Sequence, residues 1–414
     1  MCTPRIHKLN KLLFLQQLMH RIFSYLSRLS KHPDQGRKDV ERIQIPIRRI
    51  SGKQRISGEE VKFLYAGHNP FNLNMWGDHL FEEWGEEMLE AIHTNELKVK
   101  TLNKKYPDCG FLLVEKTLLT GKQDFNIPHI VIPNWIQTWI DTSKPVNELC
   151  KASKPGFKNA RRLIRKYGIT CHEANKPEDR RHFYENMYLP YLRNNTSRYL
   201  RELPYEDIFS SSRPDQLYHI KMEGKLVGGA VATFGDNKAS FGFLGITNGD
   251  AGYVKTGVIN AMYYFLAEDF HKRNIDKMYL GGSPPFLLHP LTRYKIRMRA
   301  RHDSNHKYGD HELTSCFILD KEKAMNELFS LTPFVFLNRG EACGLLYPAN
   351  KTISDQAEIE KLLELPGRLG ITNNICLKPS GKKLSNEWRK LLTDHDYKNI
   401  KFDRFINHLK GSLK

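Results

Sequence analysis

Three strand-length runs, Leu217–Met222, Leu226–Phe234 and Ser240–Ile246, follow one another with only Gly224 and the Gly235-Asp236-Asn237 turn between them. Gaps this short leave room for tight turns and little else, so the three runs read as a meander. A helical stretch from about Thr256 to Arg273 comes next, and then another strand, Lys277–Leu280. Upstream of the meander stand a basic segment, Lys158–Lys166, a strand at Ile169–Glu173 and a helix from about Pro177 to Asn194; downstream a strand-like run covers Glu312–Leu319. This mixed order predicts an α+β fold, with helices flanking a mixed, largely antiparallel sheet.

The 414 residues suggest two or three domains. Four segments are predicted: 1–57 as a basic amphipathic helix and linker, 58–150 as an N-terminal α/β domain, 151–335 as the central domain, and 336–414 as a C-terminal α/β extension. In the first, Leu9, Leu12, Leu13, Met19, Ile22, Phe23, Leu26 and Leu29 recur near helical spacing. Such a helix lies either on the protein's own core or on a membrane surface, which makes residues 1–30 a candidate peripheral membrane contact. Residues 32–57, with Pro33, Gly36, Pro46 and Gly52, read as a linker, and that predicts dispensability of residues 1–50 for folding of the rest. In the second segment Val61–Tyr65, Phe111–Val114 and His129–Ile132 read as strands, Asp78–His93 reads as a helix, and Trp135 and Trp139 stand at helical spacing. The fourth holds strands at Leu345–Tyr347 and Asn374–Leu377, and a helix over Asp355–Leu365 closed by Pro366-Gly367.

Charge and cysteine usage bound the partners. The formal net charge is +18, and residues 1–55 alone carry 13 Lys/Arg against 3 acids. A field of that sign favours an anionic partner such as nucleic acid, a nucleotide or an acidic membrane, although solubility alone also accounts for it. The seven cysteines are odd in number and none is spaced as CxxC, which argues against a disulfide framework or a zinc knuckle. No apolar run approaches the ~20 residues of a membrane span. The expectation is a cytoplasmic chain. Sequences of the form GxxxxGK[ST], HExxH, GxSxG and a strand-to-helix GxGxxG are absent, against P-loop, zincin, α/β-hydrolase and Rossmann chemistry. His302, Asp303, His306, Asp310 and His311 are dense, but they lack metal-ligand spacing, and no metal is expected.

The block Lys225–Lys295 carries the chemistry. It runs Lys225-Leu-Val-Gly-Gly-Ala-Val-Ala, then Ser240-Phe-Gly-Phe-Leu-Gly-Ile, then the helix opening at Gly257, then Tyr279-Leu-Gly-Gly-Ser283-Pro-Pro-Phe, and closes on Leu291-Thr-Arg-Tyr-Lys295. That order resembles the GNAT superfamily of N-acyltransferases, in the branch of the Fem-type peptidyltransferases and related acyl-CoA-dependent enzymes. Phe157-Lys-Asn-Ala-Arg-Arg-Leu-Ile-Arg-Lys-Tyr-Gly168 resembles that branch's basic helix ahead of its first strand. The resemblance covers roughly 150–335, and the N-terminal domain would be a degenerate sister of the same fold.

The resemblance implies transfer of an acyl group from acyl-CoA, as co-substrate, to a small amine or peptide acceptor. A pantetheine arm needs two strands splayed apart, so Ser240–Ile246 and Lys277–Leu280 are expected to be adjacent and to diverge at one end. The pyrophosphate needs backbone N–H groups at a helix N-terminus, which makes Gly249, Gly252, Lys255, Thr256 and Gly257 the candidate cofactor-binding residues; the same glycines also serve as plain turn residues. The superfamily's usual Arg/Gln-x-x-Gly-x-Gly/Ala is not intact, since Val258 and Ile259 follow Gly257. An aminoacyl-tRNA donor, as in Fem-type ligases, and a non-catalytic binding module therefore stay open. Ser283, Arg293 and Lys295 are the candidate substrate-binding residues, Lys295 by pairing with an acceptor carboxylate or phosphate. Tyr294 is the candidate acid or oxyanion donor, and Asp250 a candidate base. On the alternative reading, Tyr294 packs inward between solvated charges.

Overall fold

A computed structural model describes residues 43–55, 57–119, 128–152, 154–174, 176–194, 202–209, 214–235, 238–329, 333–347, 356–378, 386–401 and 404–405. The amphipathic helix expected in residues 1–30 lies outside them. Among the described residues the strands are β1 (Gln44–Gln54), β2 (Glu60–Ala66), β3 (Phe81–His93), β4 (Phe111–Glu115), β5 (His129–Pro133), β6 (Ile136–Asp141), β7 (Ile169–Ala174), β8 (Asp215–Met222) and β9 (Lys225–Gly235). They continue with β10 (Lys238–Ile246), β11 (Lys277–Ser283), β12 (Arg301–His302), β13 (Leu313–Ile318), β14 (Phe334–Asn338), β15 (Glu341–Leu346), β16 (Asn373–Lys378) and β17 (Tyr397–Lys401). The helices used below are α1 (Pro70–Leu80), α2 (Asn159–Lys166), α3 (Val258–Lys272), α4 (Pro290–Arg297) and α5 (Gln356–Arg368).

The strands form two mostly antiparallel sheets. One has ten strands in the order β17-β16-β15-β14-β5-β13-β4-β2-β1-β3, the other seven in the order β12-β6-β11-β10-β9-β8-β7. The fold is α+β with flanking helices, as the meander and its following helix predict. In the seven-stranded sheet α3 places Val258, Met262, Leu266 and Phe270, four residues apart, against Ala230, Ala232, Ala239 and Phe241 of β9 and β10. That spacing puts one apolar stripe on one sheet face, and burying each of these large side chains contributes about 1.5–3 kcal/mol.

Three predicted features fold differently. Residues 44–54 are a strand in the ten-stranded sheet and not part of a linker. Ile45, Ile47 and Ile50 on it are fully buried, so a cut at residue 50 removes core and residues 1–50 are not dispensable as a block. The helix expected over Asp78–His93 is the end of α1 followed by β3, which pairs antiparallel with β1. Cross-strand ion pairs Arg48–Glu86 and Arg49–Glu87 explain the preference, and Met88, placed on an apolar face by helical spacing, is 57% exposed. Trp139 lies on strand β6, opposite Tyr279, not on a helix.

The boundaries at residues 150 and 335 move as well. The seven-stranded sheet begins with β6 at Ile136 and ends with β12 at His302, whereas β13 inserts between β4 and β5 of the ten-stranded sheet. The chain therefore crosses between sheets twice, once at Asn134-Trp135 and once after His302.

Candidate active site

β10 and β11 are neighbours and parallel, but they pair only at Lys238–Lys277, Ala239–Met278 and Ser240–Tyr279. Past that point each strand keeps only its neighbour on the other side, β9 for β10 and β6 for β11. β10 carries a bulge between Phe241 and Phe243 in its ladder with β9, and β11 shifts register against β6 between Tyr279 and Gly282. A bulge adds local twist and kinks its strand, so the two irregularities pull the strands apart. Among the described residues, the edge of β10 from Phe241 to Ile246 has no strand on the β11 side.

Lys295, on α4, holds the β11 side of this split open. It is 3% exposed, and its Nζ donates to the carbonyls of Leu280, Gly281 and Gly282 at 2.8, 3.1 and 2.8 Å. Gly281 takes φ +69 to turn these carbonyls toward one point. Burial pushes the ammonium down to about 7, while three carbonyls accepting its protons favour the charged form. The expectation that Lys295 reaches an acceptor carboxylate is corrected here: all three ammonium protons go to the chain's own backbone. Ser283, one residue beyond, is fully buried, and its Oγ has no hydrogen-bond partner among the described residues.

Tyr294 stands at the split through a run of aromatic rings. Phe241, at the divergence point, meets Tyr263 edge-on at 4.8 Å, and Tyr263 meets Tyr294 at 5.4 Å. The Tyr294 hydroxyl donates to Asn260 Oδ1 at 2.7 Å. Burial pushes its phenol well above the usual range, so it stays protonated at neutral pH. The side chain is half-buried, with an apolar body and one polar end. Asn260 and Tyr263, which motif reading does not find, join the candidate site through their contacts with Tyr294; their signal in the sequence is their placement in the first turns of α3.

The residues of the loop into α3 lie together, mostly in structural roles. Gly249, at φ +65, is buried, and a Cβ there would lie 2.5 Å from Pro190 O. Gly257, at φ +90, would put a Cβ 2.4 Å from Leu163 Cδ1 on α2. Both glycines are thus accounted for by packing against the protein itself. Asp250 is exposed, and its side chain caps the short helix Ala251–Lys255 by accepting from Gly252 N at 2.7 Å. Thr256 Oγ1 donates to Tyr253 O at 2.8 Å. Lys255 and Arg293 are exposed. The first intrahelical bond of α3 is Ala261 N to Gly257 O, which leaves the N–H groups of Val258, Ile259 and Asn260 without a helical acceptor.

The dense His/Asp stretch is pairwise. His302 meets Tyr308, His306 meets Glu312, and Asp310 meets Lys116.

No family model and no curated protein matches the chain. Several solved structures do. The C-terminal domain (DUF2156) of a putative lysylphosphatidylglycerol synthetase from Agrobacterium fabrum is 10% identical over 68% of this chain and 84% of its own, with a TM-score of 0.30. FemX is 12% identical over 69% of this chain and 88% of its own, TM-score 0.31. A GCN5-related N-acetyltransferase from Anabaena variabilis is 11% identical over 72% and 70%, TM-score 0.27. Likeness at this level carries no function.

Proposed function

We propose that the protein transfers an acyl group from a thioester donor of the acyl-CoA type to an amine, in the split between β10 and β11. The observation that carries this is the parallel pair that separates after three residues. An extended donor arm with amide groups can add to the free edge of β10 as a strand would, and the first-turn N–H groups of α3 offer a place for its phosphates. The amine nitrogen attacks the thioester carbonyl carbon, the C–N bond forms and the C–S bond breaks. The nitrogen sheds its proton to solvent, and the departing thiolate takes the proton of Tyr294, which solvent restores. This step requires the Asn260 amide to present its NH₂ to the phenol in place of the oxygen that accepts from it at 2.7 Å. Lys295 is a positioning residue that fixes the carbonyls of residues 280–282.

A tRNA-borne donor is the second reading, favoured by one contact. α2 carries Arg161, Arg162, Arg165 and Lys166, and its Leu163 packs on Gly257 beside the start of α3.

Titration of the full chain with acetyl-CoA tests the first reading. A saturable rise in melting temperature, with Tyr294→Phe lowering turnover but not binding, is expected. A ligand at 100 times its dissociation constant adds about 2.7 kcal/mol. No shift with acetyl-CoA, together with steeply salt-dependent binding of aminoacyl-tRNA, would transfer the case to the second reading. Failure of both donors would leave a binding module.

A further inference from the structure

Strand alternation gives the seven-stranded sheet two faces, and α3 covers one of them. Ala239 and Phe241 of β10 and Met278 and Leu280 of β11 pack in the cluster under α3. Ser240 and Tyr279, which pair with each other, therefore point to the opposite face. On that face Phe183, Met187 and Tyr188 form a cluster with Leu217 and Val231, and Phe243 of β10 packs against it. Tyr279 and its partner on β6, Trp139, are only half-buried. Just past the last β10–β11 pair, a Cβ on Gly242 or on Gly281 would meet no atom within 4 Å. The split is thus open beside Tyr279.

A carboxylate stands behind Tyr279. β12 ends at His302, opposite Thr138 of β6, and the next residue, Asp303, donates its N–H to Gln137 O at 2.9 Å. Asp303 is 8% exposed. Its Oδ1 accepts from Asn305 N at 3.3 Å, and its carboxylate accepts from the Tyr279 hydroxyl; burial, with the Asp303 charge and that hydrogen bond, raises the phenol. Lys277, two residues before Tyr279, holds its Nζ over the Trp139 ring, 4.7 Å from the centre. Among the described residues Asp303 has no ion pair. A buried carboxylate without a cation is costly, and an ammonium brought by a ligand would offset that cost.

The two phenols at the split therefore differ. Tyr294 lies on the α3 side, among rings and beside Asn260. Tyr279 lies on the other side and is backed by a charge. A hydroxyl that donates to a carboxylate keeps its oxygen lone pairs for an incoming N–H, and the carboxylate can take the proton that the hydroxyl passes on.

We infer that Tyr279 and Asp303 hold the amine and lead away its proton in the acyl transfer proposed above, a reading on which this inference rests. The amine lies on the face opposite α3, with one N–H donating to Tyr279 Oη. As its nitrogen bonds to the carbonyl carbon, that proton passes to Tyr279 Oη and the Tyr279 proton passes to Asp303, which releases it to solvent. Tyr279 is the catalytic residue; Asp303 acts through it as a positioning residue.

Two CoA thioethers test this without turnover: S-ethyl-CoA, and S-(2-aminoethyl)-CoA, whose ammonium extends beyond the sulfur to where the amine would stand. In calorimetric titration of the full chain, the aminoethyl compound should bind about tenfold or more tightly than the ethyl one. Tyr279→Phe and Asp303→Asn should each remove most of that preference while still binding S-ethyl-CoA. Binding of neither compound by the wild type would end the acyl-CoA reading and this inference with it. Equal binding of the two by the wild type, or a preference that survives in Asp303→Asn, would overturn this inference alone. Loss of both ligands in either variant would mark a structural role and overturn it as well.

Discussion

Each sheet contains a parallel junction bordered by antiparallel strands, and the two junctions end differently. In the ten-stranded sheet β2 and β4 pair at Leu64–Leu112, Tyr65–Leu113 and Ala66–Val114, up to the last residue of β2. The next position is filled. Glu115 Oε1 accepts from the Tyr65 hydroxyl at 2.6 Å and from Asn69 N at 2.5 Å, and a Cβ on Gly67 would lie 2.4 Å from the same oxygen. In the seven-stranded sheet β10 and β11 pair over their first residues only, and beyond them no strand among the described residues lies on the β11 side of β10. A parallel junction becomes a slot only where no side chain is spent on satisfying its end. By that criterion the proposed slot belongs to the seven-stranded sheet, and the ten-stranded sheet offers none at its β2–β4 junction.

The largest expected effect lies at the open junction's support. Gly257→Ala combines a left-handed φ with a Cβ 2.4 Å from Leu163 Cδ1, and should cost about 3 kcal/mol in urea denaturation. A loss under about 1 kcal/mol would mean that α2 can move away and that the α2–α3 contact is not rigid.

The closed junction comes next. Glu115→Ala leaves the buried Tyr65 hydroxyl and Asn69 N without their carboxylate, and should cost about 2 kcal/mol. If this variant also gained acetyl-CoA binding in the ten-stranded sheet, emptiness alone would make a slot, and the distinction drawn between the junctions would sharpen into a design rule. An unchanged stability would break it.

Lys295 gives a smaller effect that depends on pH. Its folded value is pushed down to about 7 from 10.5, so above pH 7 the unfolded chain binds a proton that the folded chain does not. Stability from this group is therefore lowest below pH 7 and rises as pH climbs toward 10.5, by at most about 1.4 kcal/mol per pH unit. Lys295→Met should flatten that rise in stability measured across this window. An identical pH profile in wild type and variant would show that the three carbonyls keep the ammonium charged throughout.

The smallest effect on folding is expected for Tyr294→Phe, about 1 kcal/mol or less for the hydrogen bond to Asn260. Its turnover should fall far more than its stability. Equal, small changes in both would place Tyr294 in the packing alone.

Much of the seven-stranded sheet was legible along the chain. Local periodicity and turn residues sufficed for β7 to β11 and for α3, because alternation and four-residue spacing are carried by neighbours in sequence. The same spacing misled at Asp78–His93, where Leu80, Trp84 and Met88 mimic a helical stripe. Glu86 and Glu87 there answer Arg48 and Arg49 across a strand pair that no local window contains. Cys109, Cys316 and Cys343 are free and buried, whereas Cys171 is only half-buried, and burial pushes all four thiols up.

What the sequence determined by itself was the α+β class, the meander and the amphipathic helix behind it. What only the tertiary structure decided was pairing. It set β6 beside β11, β13 inside the other sheet, the bulge and the register shift that end the β10–β11 contact, and the three carbonyls that claim Lys295. The physical reason is that periodicity records which face of an element is apolar, whereas a backbone donor or a buried ammonium is satisfied by whichever group the fold brings within about 3 Å. That group can lie anywhere in the chain.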